Sequence, residues 1–296
     1  MFESIDSFQS RHGNVNIAYS CFKAEREKAV VLFLVGRAEY FLKYCPFFKR
    51  MNELGFTVFA LDHRGQGASG RMLSESEKGY VENFDFYVDD AEDFLKNIVL
   101  KYAESKKVLL VSISMGATIS LLLAAKCGDS FSKVVFVSPM WGVAYTMPET
   151  LAKILVKGAC LLGFGKFYAI GRSAKDYLRP FEKNRHTQSF EKYMAQQKFV
   201  TENFSFALGG PSFKWVAESM KAMKKLPEAA KKVKIPVLLL QAENDRVVDN
   251  AAMDMVSSNF ENCRKTLIEK GFHELLNEEK EFYEKTVSAI SDFLVS

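Results

Sequence analysis

Five short, nearly continuous apolar runs punctuate this chain: Ala29–Gly36, Phe56–Asp62, Val108–Ser112, Lys133–Pro139 and Pro236–Gln241. A strand with one wet face alternates apolar and polar residues, whereas these runs offer water neither face. They therefore predict a mostly parallel sheet flanked by helices on both sides, an α/β fold with right-handed crossovers. Helical patterns lie between them. The clearest is Val81–Tyr102, where Tyr87, Ala91, Phe94, Leu95, Ile98 and Tyr102 recur at three- and four-residue spacing. Its acids, Glu82, Asp85, Asp89, Asp90, Glu92 and Asp93, sit toward the N-terminal end and read as a solvated face that the helix dipole favours. The opening segment departs from this scheme. Val15, Ile17 and Tyr19 alternate after His12-Gly13-Asn14, predicting an antiparallel hairpin.

The strand–helix rhythm stops after Met140 and resumes at Pro236, and the stretch between is helical in pattern with no convincing strand. This predicts a helical cap inserted between two strands of one sheet, not a second independent domain. The expected core is 1–140 with 233–296, and the expected cap is 141–232. At 296 residues the chain is near the size at which a single core stops growing.

Charge narrows the function classes. Forty basic against 36 acidic residues leave +4, too little for a dedicated nucleic-acid binder unless it is concentrated. The five cysteines, Cys21, Cys45, Cys127, Cys160 and Cys263, form no C-x-x-C pair and no zinc-ligand spacing with histidine. They read as reduced thiols, and neither a metal nor an organic cofactor is expected. Met1 to Tyr19 lacks the basic head and apolar run of a signal peptide. The longest uncharged stretch, the 18 residues Val108–Ala125, is studded with Ser, Thr and Gly and reads as a buried strand entering a buried helix. The expectation is a soluble, cytoplasmic protein.

Ser112-Ile113-Ser114-Met115-Gly116 follows one strand run and opens the helical pattern Ala117–Cys127. A serine at such a turn is thrust out of the sheet on a bend that requires small neighbours. Alone, the pattern also describes a serine capping a buried helix. Its partners carry the argument. A nucleophilic serine needs a base, and the chain has four histidines: His12, His63, His186 and His273. Where a nucleophile sits at this turn of a parallel sheet, the acid and then the base follow it in chain order. His273 follows the strand-like Lys265–Ile268, and Asp245 follows Pro236–Leu240, with Glu243 and Asp249 as competing acids on the same loop. The Met115 amide at a helix N-terminus is the first expected oxyanion donor. The Arg37 amide, freed to turn by Gly36, is the second. Gly65, Gly67 and Gly70 match a dinucleotide fingerprint, yet no amphipathic helix opens at Gly70, so the loop reads as an active-site floor.

Together with Val35–Glu39, Asn83–Phe94, Ser138-Pro139-Met140, Gly209-Gly210-Pro211, Glu243-Asn244-Asp245 and Gly271-Phe272-His273, the combination of Asp62–Arg71 with Ser112–Gly116 resembles the monoacylglycerol lipase and bacterial lysophospholipase branch of the α/β-hydrolases, related to the serine aminopeptidases. These pieces span nearly the whole chain. The resemblance implies an α/β-hydrolase fold, a Ser114–His273–Asp245 triad and an oxyanion hole from Arg37 and Met115. The chain departs from the branch at Ser112 (usually glycine), Ile113 (usually histidine) and Val35 (usually histidine). The implied activity is hydrolysis of monoacyl lipid esters, lysophospholipid ahead of monoacylglycerol. The same scaffold also serves aminopeptidases and thioesterases, and a dead-site binding protein would keep the fold.

Between Leu151 and Val200, ten Lys/Arg stand against three acids, interleaved with Ile154, Leu155, Leu161, Leu162, Phe164, Phe167 and Tyr168. Such a surface suits an acyl chain with an anionic head group, or peripheral contact with an anionic membrane. The competing reading is a lid whose apolar face packs on the core. Trp141 and Trp215 read as packing residues.

Overall fold

The computed structural model describes residues 4–144 and 147–296. Eight strands form one sheet: β1 (Asp6–Gln9), β2 (Asn16–Phe22), β3 (Ala29–Leu34), β4 (Phe56–Leu61), β5 (Val108–Ile113), β6 (Lys133–Val137), β7 (Val237–Ala242) and β8 (Cys263–Ile268). Their order is β1-β2-β4-β3-β5-β6-β7-β8. The β1–β2 hairpin is antiparallel and joins β4 antiparallel; every later pairing is parallel. The helices are α1 (Cys45–Glu53), α2 (Asp85–Phe94), α3 (Leu100–Ala103), α4 (Met115–Cys127), α5 (Glu149–Leu161), α6 (Phe190–Glu202), α7 (Phe213–Lys224), α8 (Leu226–Lys232), α9 (Asn250–Ser257) and α10 (Lys280–Val295).

The continuous apolar runs are explained by the two layers they serve. Val30, Leu32 and Leu34 of β3 join the core shared with α2, α4, α8 and α9, while Val31 and Phe33 join the core shared with α1 and α10. Alternate residues of one strand thus feed opposite faces.

Two expectations are corrected. The helix foreseen over Val81–Tyr102 begins at Asp85 and carries a π-helical turn, Leu95–Val99, between α2 and α3. Its acidic side is not uniformly solvated, because Asp90 and Glu92 are buried. Arg64 grips Asp90 through Nε (2.7 Å) and Nη2 (2.8 Å), and Lys96 and Lys126 pair with Glu92 at 2.7 and 2.6 Å. That side faces the loop after β4 and helix α4: the Arg64–Asp90 pair is buried, while Lys96 and Lys126 reach Glu92 from half-exposed positions.

Between β6 and β7 the regular elements among the described residues are helices joined by turns and loops. Helices α5 and α7 pack together, but α8 buries Leu226, Ala229 and Ala230 against α4 and α9, in the layer that covers the sheet. Residues 145–146 of the expected cap and 1–3 of the expected core lie outside the described residues. Among the described residues, no helix is long and apolar enough to cross a membrane.

Candidate active site

β5 ends at Ile113, and α4 starts two residues later at Met115. Ser114 makes the turn between them with φ +52° and ψ −119°, a conformation that costs an L-residue energy and is tolerated where the surroundings enforce it. The Ser114 amide donates to the Val137 carbonyl (3.1 Å), and the Met140 amide donates to the Ser114 carbonyl (3.0 Å). The bend is therefore strapped to the end of β6. Gly116 is required at its position, since a Cβ there would collide with the carbonyl oxygens of Leu34 and Val35. The three departures from the family pattern all sit in packing positions: Ser112, Ile113 and Val35 are fully buried.

Ser114 Oγ lies 2.9 Å from His273 Nε2, and His273 Nδ1 lies 2.7 Å from Asp245 Oδ2. The other Asp245 oxygen accepts from the Val247 and Val248 amides (2.8 and 3.0 Å), which fixes the carboxylate's plane. Burial pushes the His273 ring toward neutrality, but the adjacent Asp245 carboxylate outweighs it and holds the ring's pKa above 6.5. Burial likewise opposes ionisation of Asp245, and His273 together with the two amides keeps it below 3.8.

The competing groups are occupied elsewhere. Glu243 accepts from the Lys270 amide at 2.8 Å, and Asp249 caps α9 through the Ala251 amide at 2.9 Å. His12 pairs with Asp89 (2.8 Å), and His63 Nε2 bonds the Val35 carbonyl (3.0 Å).

Gly36 sits against Ser114: a Cβ on it would stand 3.1 Å from Ser114 Cβ. Its amide donates to Glu39 Oε2 at 2.6 Å, which leaves the next amide, that of Arg37, at the bend. The glycine-rich loop supports this turn from below. Gln66 donates to the Gly36 and Glu39 carbonyls, and Asp62 accepts from the Phe41 amide at 2.7 Å. Among the described residues, no cluster of His, Cys, Asp or Glu is arranged to hold a metal ion.

Behind His273 lies a buried network that sequence reasoning missed. Lys43 bridges Glu39 (3.1 Å) and Glu274 (2.7 Å), and His186 Nδ1 stands 3.5 Å from Glu274. The only sequence signal was position: Glu274 adjoins His273, and Lys43 lies one helical turn after Glu39.

A cavity of about 420 Å³ opens onto Ser114 and His273. Met140, Val156, Leu208, Met220 and Met223 supply apolar wall; Arg37, Arg172, Asp176, Arg179, His186 and Gln197 supply polar wall. Trp141 packs in the core on Phe136 and Phe260. Trp215 does more than pack, because it lines the cavity and its indole N–H donates to the Tyr87 hydroxyl at 3.2 Å.

A family model described as serine aminopeptidase, S33, matches residues 25–280. The chain belongs to the S33 serine aminopeptidase family. Within reach of this family, lysophospholipase L2 of Escherichia coli (strain K12) is 32% identical over 288 residues, covering 95% of this chain and 84% of that protein. Monoglyceride lipase of Rattus norvegicus is 26% identical over 254 residues, covering 85% and 77%. Among solved structures, a soluble variant of monoglyceride lipase from Saccharomyces cerevisiae, in complex with a substrate analog, aligns with a TM-score of 0.77 at 16% identity, covering 99% of this chain and 94% of that one. This S33 member therefore has the α/β-hydrolase fold.

Proposed function

We propose that the protein is a serine hydrolase that cleaves carboxylic esters of monoacyl lipids, lysophospholipid ahead of monoacylglycerol, through an acyl-enzyme on Ser114. The observation that carries this reading is the hydrogen-bonded line from Asp245 through His273 to Ser114, set at a cavity with both apolar and cationic walls. His273 Nε2 takes the Ser114 proton as Oγ attacks the ester carbon, and the Arg37 and Met115 amides receive the developing oxyanion. His273 then protonates the departing alcohol. In the second half a water gives its proton to His273, attacks the acyl carbon and releases the fatty acid.

Likeness to a protein named lysophospholipase and to one named monoglyceride lipase supports the substrate class. An aminopeptidase would need a free carboxylate to receive a substrate ammonium, whereas the carboxylates lining this cavity, Glu39, Asp176 and Glu274, are paired with Lys43, Arg172 and Arg179. The helical segment 141–232, apart from the sheet-packed α8, serves as the cap. Its Leu161, Leu162 and Phe167 are 77%, 74% and 60% exposed, beside exposed Lys157 and Lys166, which suits peripheral contact with an anionic membrane. Five thiols without a disulfide suit a reducing, cytoplasmic setting.

The test is a hydrolysis panel of p-nitrophenyl esters, monoacylglycerols, lysophospholipids and aminoacyl amides, run beside labelling with a fluorophosphonate. Labelling with turnover confined to the lipid esters is expected. Turnover of the amides alone, or no labelling, overturns the reading.

A further inference from the structure

Among the described residues Arg37 is a cation without a carboxylate partner. Its Nη2 donates to the Gly209 carbonyl at 2.6 Å, its guanidinium lies 5.1 Å over the Trp215 ring, and its Nε is buried with no hydrogen-bond partner among those residues. Burying a guanidinium in this way is costly unless an anion completes its shell. Burial lowers its pKa to about 10, which still leaves it charged at neutral pH, and the charges of Arg172, Asp176 and Arg179 are felt there as well. Those three residues line the same cavity. Arg172 and Arg179 share the single Asp176 carboxylate, at 3.5 and 3.0 Å. Arg37, Arg172 and Arg179 therefore line, with Asp176, the cavity onto which Ser114 opens. A tether between the core and residue 209 would need the Gly209 bond alone; it accounts neither for the unpartnered Nε nor for the two cap arginines.

Resting on the ester-hydrolase reading above, we propose that Arg37, with Arg172 and Arg179, binds the phosphodiester of a lysophospholipid while its ester lies at Ser114. On the proposed mechanism the Arg37 amide faces the ester, and the side chain of the same residue lines the cavity that would hold the rest of the lipid. A phosphodiester offers the two-oxygen edge that a guanidinium fork matches.

The test compares kcat/KM for 1-octanoyl-lysophosphatidylglycerol and 1-octanoylglycerol in the full chain, the Arg37→Gln variant and the Arg172→Gln/Arg179→Gln double variant. Arg37→Gln is expected to lower the phospholipid-to-glyceride ratio about ten- to hundredfold, the scale of lost charge-assisted hydrogen bonds, and the double variant about tenfold. A disturbed Arg37 amide lowers both rates together and leaves the ratio in place. An unmoved ratio in both variants overturns the subsite, and if Arg37→Gln does not fold, the double variant decides alone. Inorganic phosphate that competes with octanoylglycerol while the ratio stays unmoved marks a site for free anions and also overturns the head-group assignment. Wild-type protein that cleaves neither substrate sinks the ester-hydrolase reading itself, an outcome distinct from cleavage of both with an unmoved ratio.

Discussion

The Gln66 carboxamide donates to the Gly36 carbonyl at 2.6 Å and the Glu39 carbonyl at 3.0 Å, while its oxygen accepts from the Ala38 amide at 3.3 Å. One side chain from the loop after β4 thereby sets the shape of the turn after β3, where the Arg37 amide lies. Gln66→Ala should lower kcat on p-nitrophenyl butyrate about ten- to thousandfold with KM little changed, because a loosened turn weakens an interaction made chiefly in the transition state. Steady-state kinetics check this; an unaltered kcat would mean the turn holds itself.

Ser114→Ala should lose at least about a thousandfold in kcat and all fluorophosphonate labelling while keeping its circular dichroism. Ser114→Gly should be equally inactive yet more stable than Ser114→Ala by about 1 kcal/mol, since glycine accepts the +52° φ without strain. Urea unfolding of the two variants compares them directly. Equal stability would remove backbone strain from the account of the turn.

His273 must be neutral to act as a base, and its pKa is held above 6.5 against burial by Asp245. The kcat/KM profile should therefore rise with pH along a limb whose midpoint lies above 6.5. Asp245→Asn should move that limb to lower pH and cut kcat by about 10⁴. The same shift contributes stability that is complete below the unfolded pKa near 6.5 and is lost as pH climbs through the higher folded value. A pH–rate series settles the limb, and a flat profile would remove His273 from the mechanism.

Lys43→Met leaves Glu39 and Glu274 buried without their shared cation, and should cost about 3–5 kcal/mol in urea unfolding at pH 7. Burial opposes ionisation of Glu274, but Lys43 holds its pKa well below 4.5. Its contribution is present above about pH 4.5 and declines as pH falls below that, so the variant's deficit should shrink in acid. A deficit independent of pH would assign the loss to packing.

Leu161→Asp/Leu162→Asp should reduce co-sedimentation with phosphatidylglycerol-rich vesicles at least about fivefold, leaving hydrolysis of a short soluble ester intact. Equal binding by wild type and variant would make this exposed surface incidental to lipid.

The fold and the meeting of Ser114, His273 and Asp245 were legible because each depends on local pattern and chain order. Continuous runs such as Ala29–Gly36 can satisfy their faces only between two layers, and Ser114, Asp245 and His273 each follow a strand. What escaped depends on distant packing. Asp90 and Glu92 looked like solvated acids because nothing local announces that Arg64 and Lys126 lie opposite them. Gln66 stands between two glycines, and its carboxamide acquires meaning only once β4 lies beside β3. The composition of α8 resembles that of its cap neighbours, so its docking against α4 and α9 could not be read from periodicity. Trp215 belongs to both the core and the cavity, a double position that residue type does not reveal.

Leu34 and Ser112 are register partners in neighbouring parallel strands, two residues short of Gly36 and Ser114 respectively. The turns that would cradle the reacting carbonyl are consequently inherited from fully buried, paired strands in the middle of the sheet. Lineages sharing this frame can rewrite the exposed cap surface around Leu161 and Phe167, and with it the face offered to lipid, while the placement of Ser114 stays with β5 and β6.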